Sequence, residues 1–324
     1  MGYRIEKDSL GEFKVPEEML YGAQTARAVD NFPISGRGIG RDMIKALGMI
    51  KYAAARVNQE LGKLKPELAD KIMEAAQEVI EGKLDEHFPV DVFQTGSGTS
   101  SNMNANEVIA NRAIQLMGGE VGSKSPIHPN DHVNMGQSTN DVFPTAMRVA
   151  ALLELPGLLG ELRALADALE AKAEQFAPIV KSGRTHLQDA VPVRLGQEFG
   201  AYAAALAKAA KAVEFAADGC RELGIGGSAT GTGLNTHPEY AARTVAYLAE
   251  FTGEDLRPAP DRFEAMQSQG PVVALSGALR LLAVELIRLA NDLRLLSSGP
   301  TTGLAEIRLP AVQPGSSIMP GKVN

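Results

Sequence analysis

The chain contains 324 residues, of which 44% are hydrophobic and 22% charged, a composition typical of a soluble globular protein of about two domains. Aromatic residues make up only 5% and Trp is absent, so aliphatic residues must form the core, which suits packed helices better than strands. The formal net charge of −7 argues against a nucleic acid or an anionic membrane as partner, and the single cysteine, Cys220, excludes an internal disulfide.

The N-terminal segment, MGYRIEKDSLGEF, is charged and lacks the apolar core that a signal peptide requires. No uninterrupted apolar stretch reaches the roughly 18 residues of a membrane-spanning helix. We therefore expect a cytoplasmic protein with no membrane partner, in keeping with its single cysteine.

The first forty residues mix charged residues with Gly and Pro, and this pattern predicts an irregular arm. Residues 41–82 read as two helices separated by a short break before Pro66. A segment rich in Gly, Ser and Asn follows at 95–107 and passes into a helical run toward Met117. We expect a loop over residues 118–140.

Three long helical runs are predicted after this loop, at about 141–176, 196–222 and 271–297, with a kink at Pro156 in the first. The third run carries leucines at alternating steps of four and three, at Leu275, Leu279, Leu282, Leu286, Leu289, Leu293 and Leu296. Such a seam is typical of a helix that packs in a bundle. The fold class is therefore mainly α, with an N-terminal helical domain at 1–135 and an elongated, incomplete central helix bundle at 136–324.

Four polar segments interrupt the helical pattern, at 96–102, 128–140, 183–189 and 315–324. Each alone is explained as a turn with helix caps, and Ser138, Thr139 and Asn140 are placed to cap the run that follows them. Together the segments supply hydroxyls, amides, an imidazole and an ammonium with few carboxylates. This set of hydrogen-bond donors suits a small anion.

Three familiar kinds of site fit poorly. Residues 315–322 differ from a P-loop in spacing, and Val323 stands where a magnesium-binding Ser or Thr is needed. Residues 224–229 match a loose dinucleotide fingerprint but follow a helical run rather than a strand. His128 and His132 lack an evident third metal ligand. We expect neither a cofactor nor a metal.

The polar segments resemble the fumarase/aspartase superfamily, and most closely its class II fumarases. The family's signature loop, GSSIMPGKVN, stands at 315–324, and further blocks are similar to TGSGTSSNMNANE at 95–107, HPNDHVN at 128–134, QSTNDVFPTA at 137–146 and GRTHLQDAVP at 183–192. The resemblance implies the L-aspartase-like fold, in which family members continue beyond the signature loop, so we expect the C-terminal part of that fold to be absent here. It also implies a homotetramer whose active sites are each shared between three subunits.

The same resemblance implies roles for individual residues. Ser316 would be the base that removes the C3 proton of malate, and His186 would assist at the departing hydroxide. The family match assigns binding of the dicarboxylate substrate to Ser97, Thr99, His128, Asn130, Asp131, Ser138, Thr139, Asn140, Thr185, Lys322 and Asn324. The expected reaction is the reversible hydration of fumarate to L-malate through an aci-carboxylate intermediate, which preorganised donors must stabilise.

Two alternatives remain open from the sequence. Aspartate ammonia-lyases share the signature loop, although His186 stands in THLQ where aspartases usually resemble TQLQ. The second alternative is an inactive helical scaffold, or a fragment of such an enzyme, that keeps the motifs without the C-terminal part.

Overall fold

The computed structural model describes residues 2–319 and Lys322, and over this part the chain is mainly α-helical, as the sequence predicts. Its helices are α1 Ala23–Asn31, α2 Arg41–Glu60, α3 Pro66–Ile80, α4 Thr99–Leu116, α5 Thr139–Phe176, α6 Leu195–Asp218, α7 Tyr240–Thr252, α8 Arg262–Gln267 and α9 Gly270–Leu296. Its strands pair two by two, as β1 Tyr3–Asp8 with β2 Gly11–Pro16, β3 Val180–Thr185 with β4 Gln188–Arg194, and β5 Glu222–Leu223 with β6 Arg257–Pro258.

The chain divides into two compact units. Unit 1 contains residues 1–156 and 217–272, and unit 2 contains residues 157–216 and 273–324. Three long helices, α5, α6 and α9, contribute residues to both units. The predicted division into domains at 1–135 and 136–324 stays a prediction.

The prediction of an irregular N-terminal arm is wrong. The strands β1 and β2 form an antiparallel hairpin, and α1 follows them. The start of α1 is capped from a distance by the buried Glu107 of α4, which accepts hydrogen bonds from the backbone N–H groups of Gly22, Gln24 and Thr25 and from the Thr25 hydroxyl. A cap supplied from so far along the chain leaves no local signal in the sequence.

The core of unit 1 is built on the helices α2 and α3, which the sequence predicts correctly. Helix α3 begins with Pro66 at its first position, where the missing N–H costs no hydrogen bond. Gly48 of α2 lies against Val79 of α3, and a Cβ at residue 48 would approach the Val79 side chain to 3.0 Å. The absence of a side chain at residue 48 lets the two helices pack closely.

The three long runs predicted after residue 140 are confirmed as α5, α6 and α9. Helix α5 runs through Pro144 and Pro156 without ending, and the predicted kink at Pro156 stays a prediction. In α9 the buried leucines are those seven residues apart, Leu275, Leu282, Leu289 and Leu296. Leu279, another member of the predicted seam, is 37% exposed.

Among the described residues, α5 alone is long and apolar enough to cross a membrane by length and composition. A core helix of a soluble protein meets the same criterion. The most apolar window of α5 is 44% buried, and Arg148 within the helix is fully buried.

Candidate active site

Helix α5 begins in unit 1 with a capping box. The backbone N–H of Asn140 donates to the Ser138 hydroxyl at 3.2 Å, and the backbone N–H of Ser138 donates to the Asp141 carboxylate at 2.9 Å. The two hydrogen bonds satisfy groups that the first turn of a helix leaves open. The expected capping role is therefore confirmed for Ser138, and Asp141 is the partner that the sequence analysis missed.

Asp141 also joins α5 to the loop at 226–230. Its second carboxylate oxygen accepts from the backbone N–H groups of Gly226 at 3.0 Å and Ser228 at 2.9 Å. Burial raises the pKa of Asp141 to about 6, while these N–H groups oppose the shift. The loop at 224–229 leads into no helix, since α7 begins only at Tyr240, so the dinucleotide interpretation is excluded.

Helix α4 begins beside a second group of polar side chains. The buried Gln94 accepts from the backbone N–H of Ser101 at 3.1 Å and donates to the Ser101 hydroxyl at 2.7 Å. The hydroxyl of Ser97 lies 3.1 Å from the hydroxyls of both Thr95 and Thr99. Ser97 and Thr99 thus form one exposed group of hydroxyls at the N-terminus of α4.

A cleft of about 680 Å³ in unit 1 brings three predicted residues together. Ser97, Thr139 and Asn140 line it, and the Asn140 amide donates to the carbonyl of Ala229 in the opposite wall at 2.8 Å. Thr99 does not line the cleft itself but reaches it through the hydroxyl of Ser97.

The rest of the cleft wall contains apolar residues that the sequence analysis missed, namely Phe143, Met147, Phe263 and Met266. The sequence did contain a signal for two of them. Thr139, Phe143 and Met147 are spaced four apart, and such spacing places side chains on one face of a helix. Phe263 and Met266 follow more than a hundred residues later and carry no such signal.

The N-termini of α4 and α5 both lie at this cleft, since Ser97 stands two residues before the first helix and Thr139 begins the second. The first N–H groups of a helix and its dipole favour negative charge. Hydroxyl and amide side chains add further donors. The cleft is therefore suited to a small anion, with apolar walls that fit a short carbon chain.

The residues His128, Asn130 and Asp131 lie in a separate turn of unit 1. Residues Pro129–Val133 form one π-helical turn, in place of the expected plain loop, with proline at its first position. The Nδ1 atom of His128 accepts from the backbone N–H groups of Asn130 at 3.3 Å and Asp131 at 3.2 Å.

In unit 2, Thr185 and His186 lie at the tip of the hairpin formed by β3 and β4. Thr185 pairs with Gln188, and the two residues between them, His186 and Leu187, have φ of 50° and 62°. These values fit a two-residue turn of the kind that hairpins favour. Both Thr185 and His186 are exposed to solvent.

Strand β3 of this hairpin is held by a cluster of charged residues. Glu306 pairs with Arg184 and with Lys181, and Lys181 also contacts Glu198 at 2.8 Å. Burial would raise the pKa of Glu306, but the hydrogen bonds from Arg184 and Lys181 hold it below its ordinary value. The cluster ties the strand that leads to His186 to the segment that precedes the signature loop.

Ser316 and Lys322 lie together in the signature loop and line a shallow pocket of about 490 Å³ within unit 2. The Ser316 hydroxyl accepts from the backbone N–H of Ile318 at 3.3 Å. Thr185 and His186 do not line this pocket. Asn324, predicted to bind a carboxylate, lies outside the described residues.

Over residues 2–319 and Lys322, no group of three or more His, Cys, Asp or Glu side chains could hold a metal ion. The expected absence of a metal stays a prediction.

The chain is of the mainly helical class, and the cleft at the starts of α4 and α5 is lined by hydroxyl and amide groups that suit a small anion. Within that class the family is settled by comparison of sequences. The sequence profile of the family described as Lyase matches residues 11–324, and the chain belongs to this family. The predicted fumarase/aspartase superfamily is thereby confirmed.

Individual relatives agree with this assignment. The chain is 54% identical over 325 residues to the mitochondrial fumarate hydratase of Rattus norvegicus, covering 99% of this chain but only 64% of that protein. It is 52% identical to the class II fumarate hydratase of Neisseria meningitidis, covering 100% of this chain and 70% of the relative. The chain thus spans just under two thirds of the length of the rat relative.

Solved structures confirm the fold class. A fumarate lyase:delta crystallin from Brucella melitensis, bound to cobalt, superposes with a TM-score of 0.96 at 50% identity and covers 100% of this chain and 71% of its own. The class II fumarase of Schistosoma mansoni also gives a TM-score of 0.96, at 41% identity, with the same two coverages. The mainly α fold that these proteins share is the one expected from the sequence.

Proposed function

We propose that the protein is a lyase that catalyses the reversible hydration of fumarate to L-malate. The observation that carries the proposal is the meeting of the N-termini of α4 and α5 at one cleft with Ser97, Thr139 and Asn140 in its wall. The relatives named fumarate hydratase support the same reaction. In this proposal the cleft binds one carboxylate of the substrate, and Thr99 supports Ser97.

The chemical step begins with removal of the C3 proton of malate. Ser316 takes this proton, and the electron pair of the broken C–H bond moves into the adjacent carboxylate to give an aci-carboxylate with two negative charges. This pair then forms the double bond between C2 and C3 while the C–O bond at C2 breaks. The departing hydroxide receives a proton with help from His186 and leaves as water.

The proposed donors to the dicarboxylate come from several segments of the chain. Ser138 sets the start of α5, Thr185 lies beside His186, and Lys322 supplies an ammonium next to Ser316. Asn324 completes the proposed set from the signature loop. The turn of His128, Asn130 and Asp131 is proposed as a further segment that binds dicarboxylate.

We further propose that the protein acts as a homotetramer in the cytoplasm, with each active site shared between three subunits. The exposed position of His186 at a hairpin tip supports a site completed by another subunit. Mass measurement under native conditions tests the assembly, and a monomer with full activity would contradict it.

The reaction is tested by following the ultraviolet absorbance of fumarate with L-malate and L-aspartate supplied separately. Fumarate from malate alone, lost in the Ser316→Ala variant and kept in a Ser297→Ala control, is the expected result. Ser297 is a suitable control because its hydroxyl donates only to the backbone carbonyl of Arg294. Product from aspartate instead would make the protein an ammonia-lyase, and no product from either would defeat the proposed reaction.

A further inference from the structure

Lys51 of α2 is fully buried beneath the α5 end of the cleft. Its Nζ atom donates to three side-chain amide oxygens, those of Asn102 at 2.8 Å, Asn134 at 2.9 Å and Gln137 at 2.9 Å. A buried ammonium is costly unless it is hydrogen-bonded. Three polar side chains, one on α4 and two in the turn before α5, therefore converge on one cation in unit 1.

The cation determines which way the amides point. An ammonium can only donate hydrogen bonds, so each amide must turn its oxygen toward Lys51. The nitrogen of Asn102 then faces away from Lys51 and donates to the Thr139 hydroxyl oxygen at 3.1 Å. The orientation of an asparagine amide is otherwise free to reverse, because its oxygen and nitrogen ends have nearly the same shape.

The hydrogen bond from Asn102 uses the Thr139 hydroxyl as an acceptor. Among the residues that the structure describes, the Thr139 O–H has no acceptor of its own, and Thr139 lines the cleft. Its proton is therefore available to a ligand. A hydroxyl that must donate is matched to a carboxylate, which when ionised can only accept.

We propose that Lys51 is a positioning residue that, through Asn102, fixes Thr139 as a hydrogen-bond donor to a carboxylate of the substrate. The inference rests on the proposed function, because it assigns the carboxylate to the same cleft. Lys51 lies on α2, which contributes no residue to the cleft wall. The residue that fixes Thr139 as a donor therefore lies outside the cleft.

The charged surroundings fit this arrangement. Burial lowers the pKa of Lys51 to about 7, and the carboxylate of Asp141 opposes that shift. Tyr240, the other buried ionisable group beside Asp141, has a raised pKa because of its burial and therefore stays neutral. Below about pH 7, where Lys51 holds its proton, the ammonium is thus balanced by amide dipoles and by the carboxylate of Asp141, which itself holds the start of α5.

The decisive variant is Asn102→Asp. An aspartate keeps an oxygen toward Lys51 but has no N–H group for Thr139. Below pH 7, where Lys51 is charged, we expect KM for malate and Kd for succinate, a dicarboxylate that cannot react, to rise about tenfold, with a smaller change in kcat. Asn134→Asp is the matched control, since it places the same charge against the same ammonium without a contact to Thr139, and its effect should be several-fold smaller.

Repulsion between the new carboxylate and the substrate is separated from the proposed effect by a double-mutant cycle. In a Thr139→Val background, Asn102→Asp should raise KM and Kd by less than about a further twofold, because there is no hydroxyl left to orient. Simple repulsion would act in both backgrounds. Lys51→Met should behave as Asn102→Asp does in the same cycle, and where Lys51→Met fails to fold, the Asn102→Asp cycle decides alone.

The outcomes separate this inference from the proposed function. If malate is converted but the effects of Asn102→Asp and Thr139→Val on KM are additive in free energy, the inference is overturned and the proposed function stands. If malate is not converted, the proposed function fails and the cycle is measured on succinate binding by calorimetry, where additivity again overturns the inference. A wild-type protein that binds no dicarboxylate would overturn both.

Discussion

Gly98 and Phe143 pack against each other so closely that a Cβ atom at residue 98 would lie 2.2 Å from Cγ of the phenylalanine ring. Gly98 also has φ of 83°, which residues with a side chain rarely adopt. The contact brings the beginning of α4 against the first turns of α5. The positions of the two helix N-termini that form the proposed carboxylate site therefore depend on the absence of a side chain at Gly98.

We expect Gly98→Ala to lower the free energy of unfolding by about 2–4 kcal/mol and to raise KM for malate, because the ring must move and α4 with it. Gly96→Ala is the matched control. Gly96 has a similar φ of 80°, but a Cβ there would meet nothing within 4 Å. Equal losses in the two variants, measured by urea denaturation and steady-state kinetics, would show that the Phe143 contact has no part in the effect.

Lys51 should give the stability of the protein a characteristic pH dependence. Its folded pKa of about 7 lies below the ordinary value of 10.5, so between these values the unfolded chain binds more protons. The contribution of Lys51 to the free energy of unfolding is therefore fully present above pH 10.5 and is lost as the pH falls toward 7. The stability of the wild type relative to Lys51→Met should thus rise between pH 7 and pH 9, on the order of 1 kcal/mol per unit. A difference that stays flat in chemical denaturation over that range would contradict a buried, titrating Lys51.

Glu306 should make the stability of the protein depend on pH in the acid range. Its pKa in the folded protein lies below the ordinary value of 4.5, because hydrogen bonds from Arg184 and Lys181 outweigh the effect of burial. The stability that this carboxylate contributes is present above pH 4.5 and is lost as the pH falls through the folded pKa. We expect Glu306→Gln to be less stable than the wild type at pH 7 and the two proteins to converge in acid. Convergence that fails to appear in thermal unfolding between pH 7 and pH 3 would argue against the pairing.

Glu107→Gln should destabilise the protein by about 2–4 kcal/mol, because the new amide N–H₂ faces donors where a carboxylate accepted. The donors are the N-terminal N–H groups of α1 and the Thr25 hydroxyl, whose oxygen lies 2.6 Å from the carboxylate. Glu120→Gln makes the same chemical change at an exposed side chain and should alter stability by less than about 0.5 kcal/mol. Hydrogen exchange should show faster exchange in α1 of Glu107→Gln only, and unchanged protection there would contradict the cap.

Much of the proposed site could be predicted from the sequence because its residues stand in short, contiguous segments. Ser138 has the position of an N-cap directly before an apolar helical run, and the structure places it there. Thr139 and Asn140 follow in the same segment, so their place at the start of a helix follows as well. Asp141, three residues after Ser138, completes a capping box that local sequence was able to show.

The positions of the helices and the mainly α fold class were determined by the sequence itself. Apolar periodicity, proline at a helix start and capping residues all act between residues that are close in sequence. Only the tertiary structure decided that Glu107 caps a helix more than eighty residues earlier, or that Lys51 orients Asn102. These hydrogen bonds satisfy buried charged groups, and a buried group takes whichever partner the packing brings within about 3 Å. That distance is set by how distant helices meet, and no local pattern of residues records it.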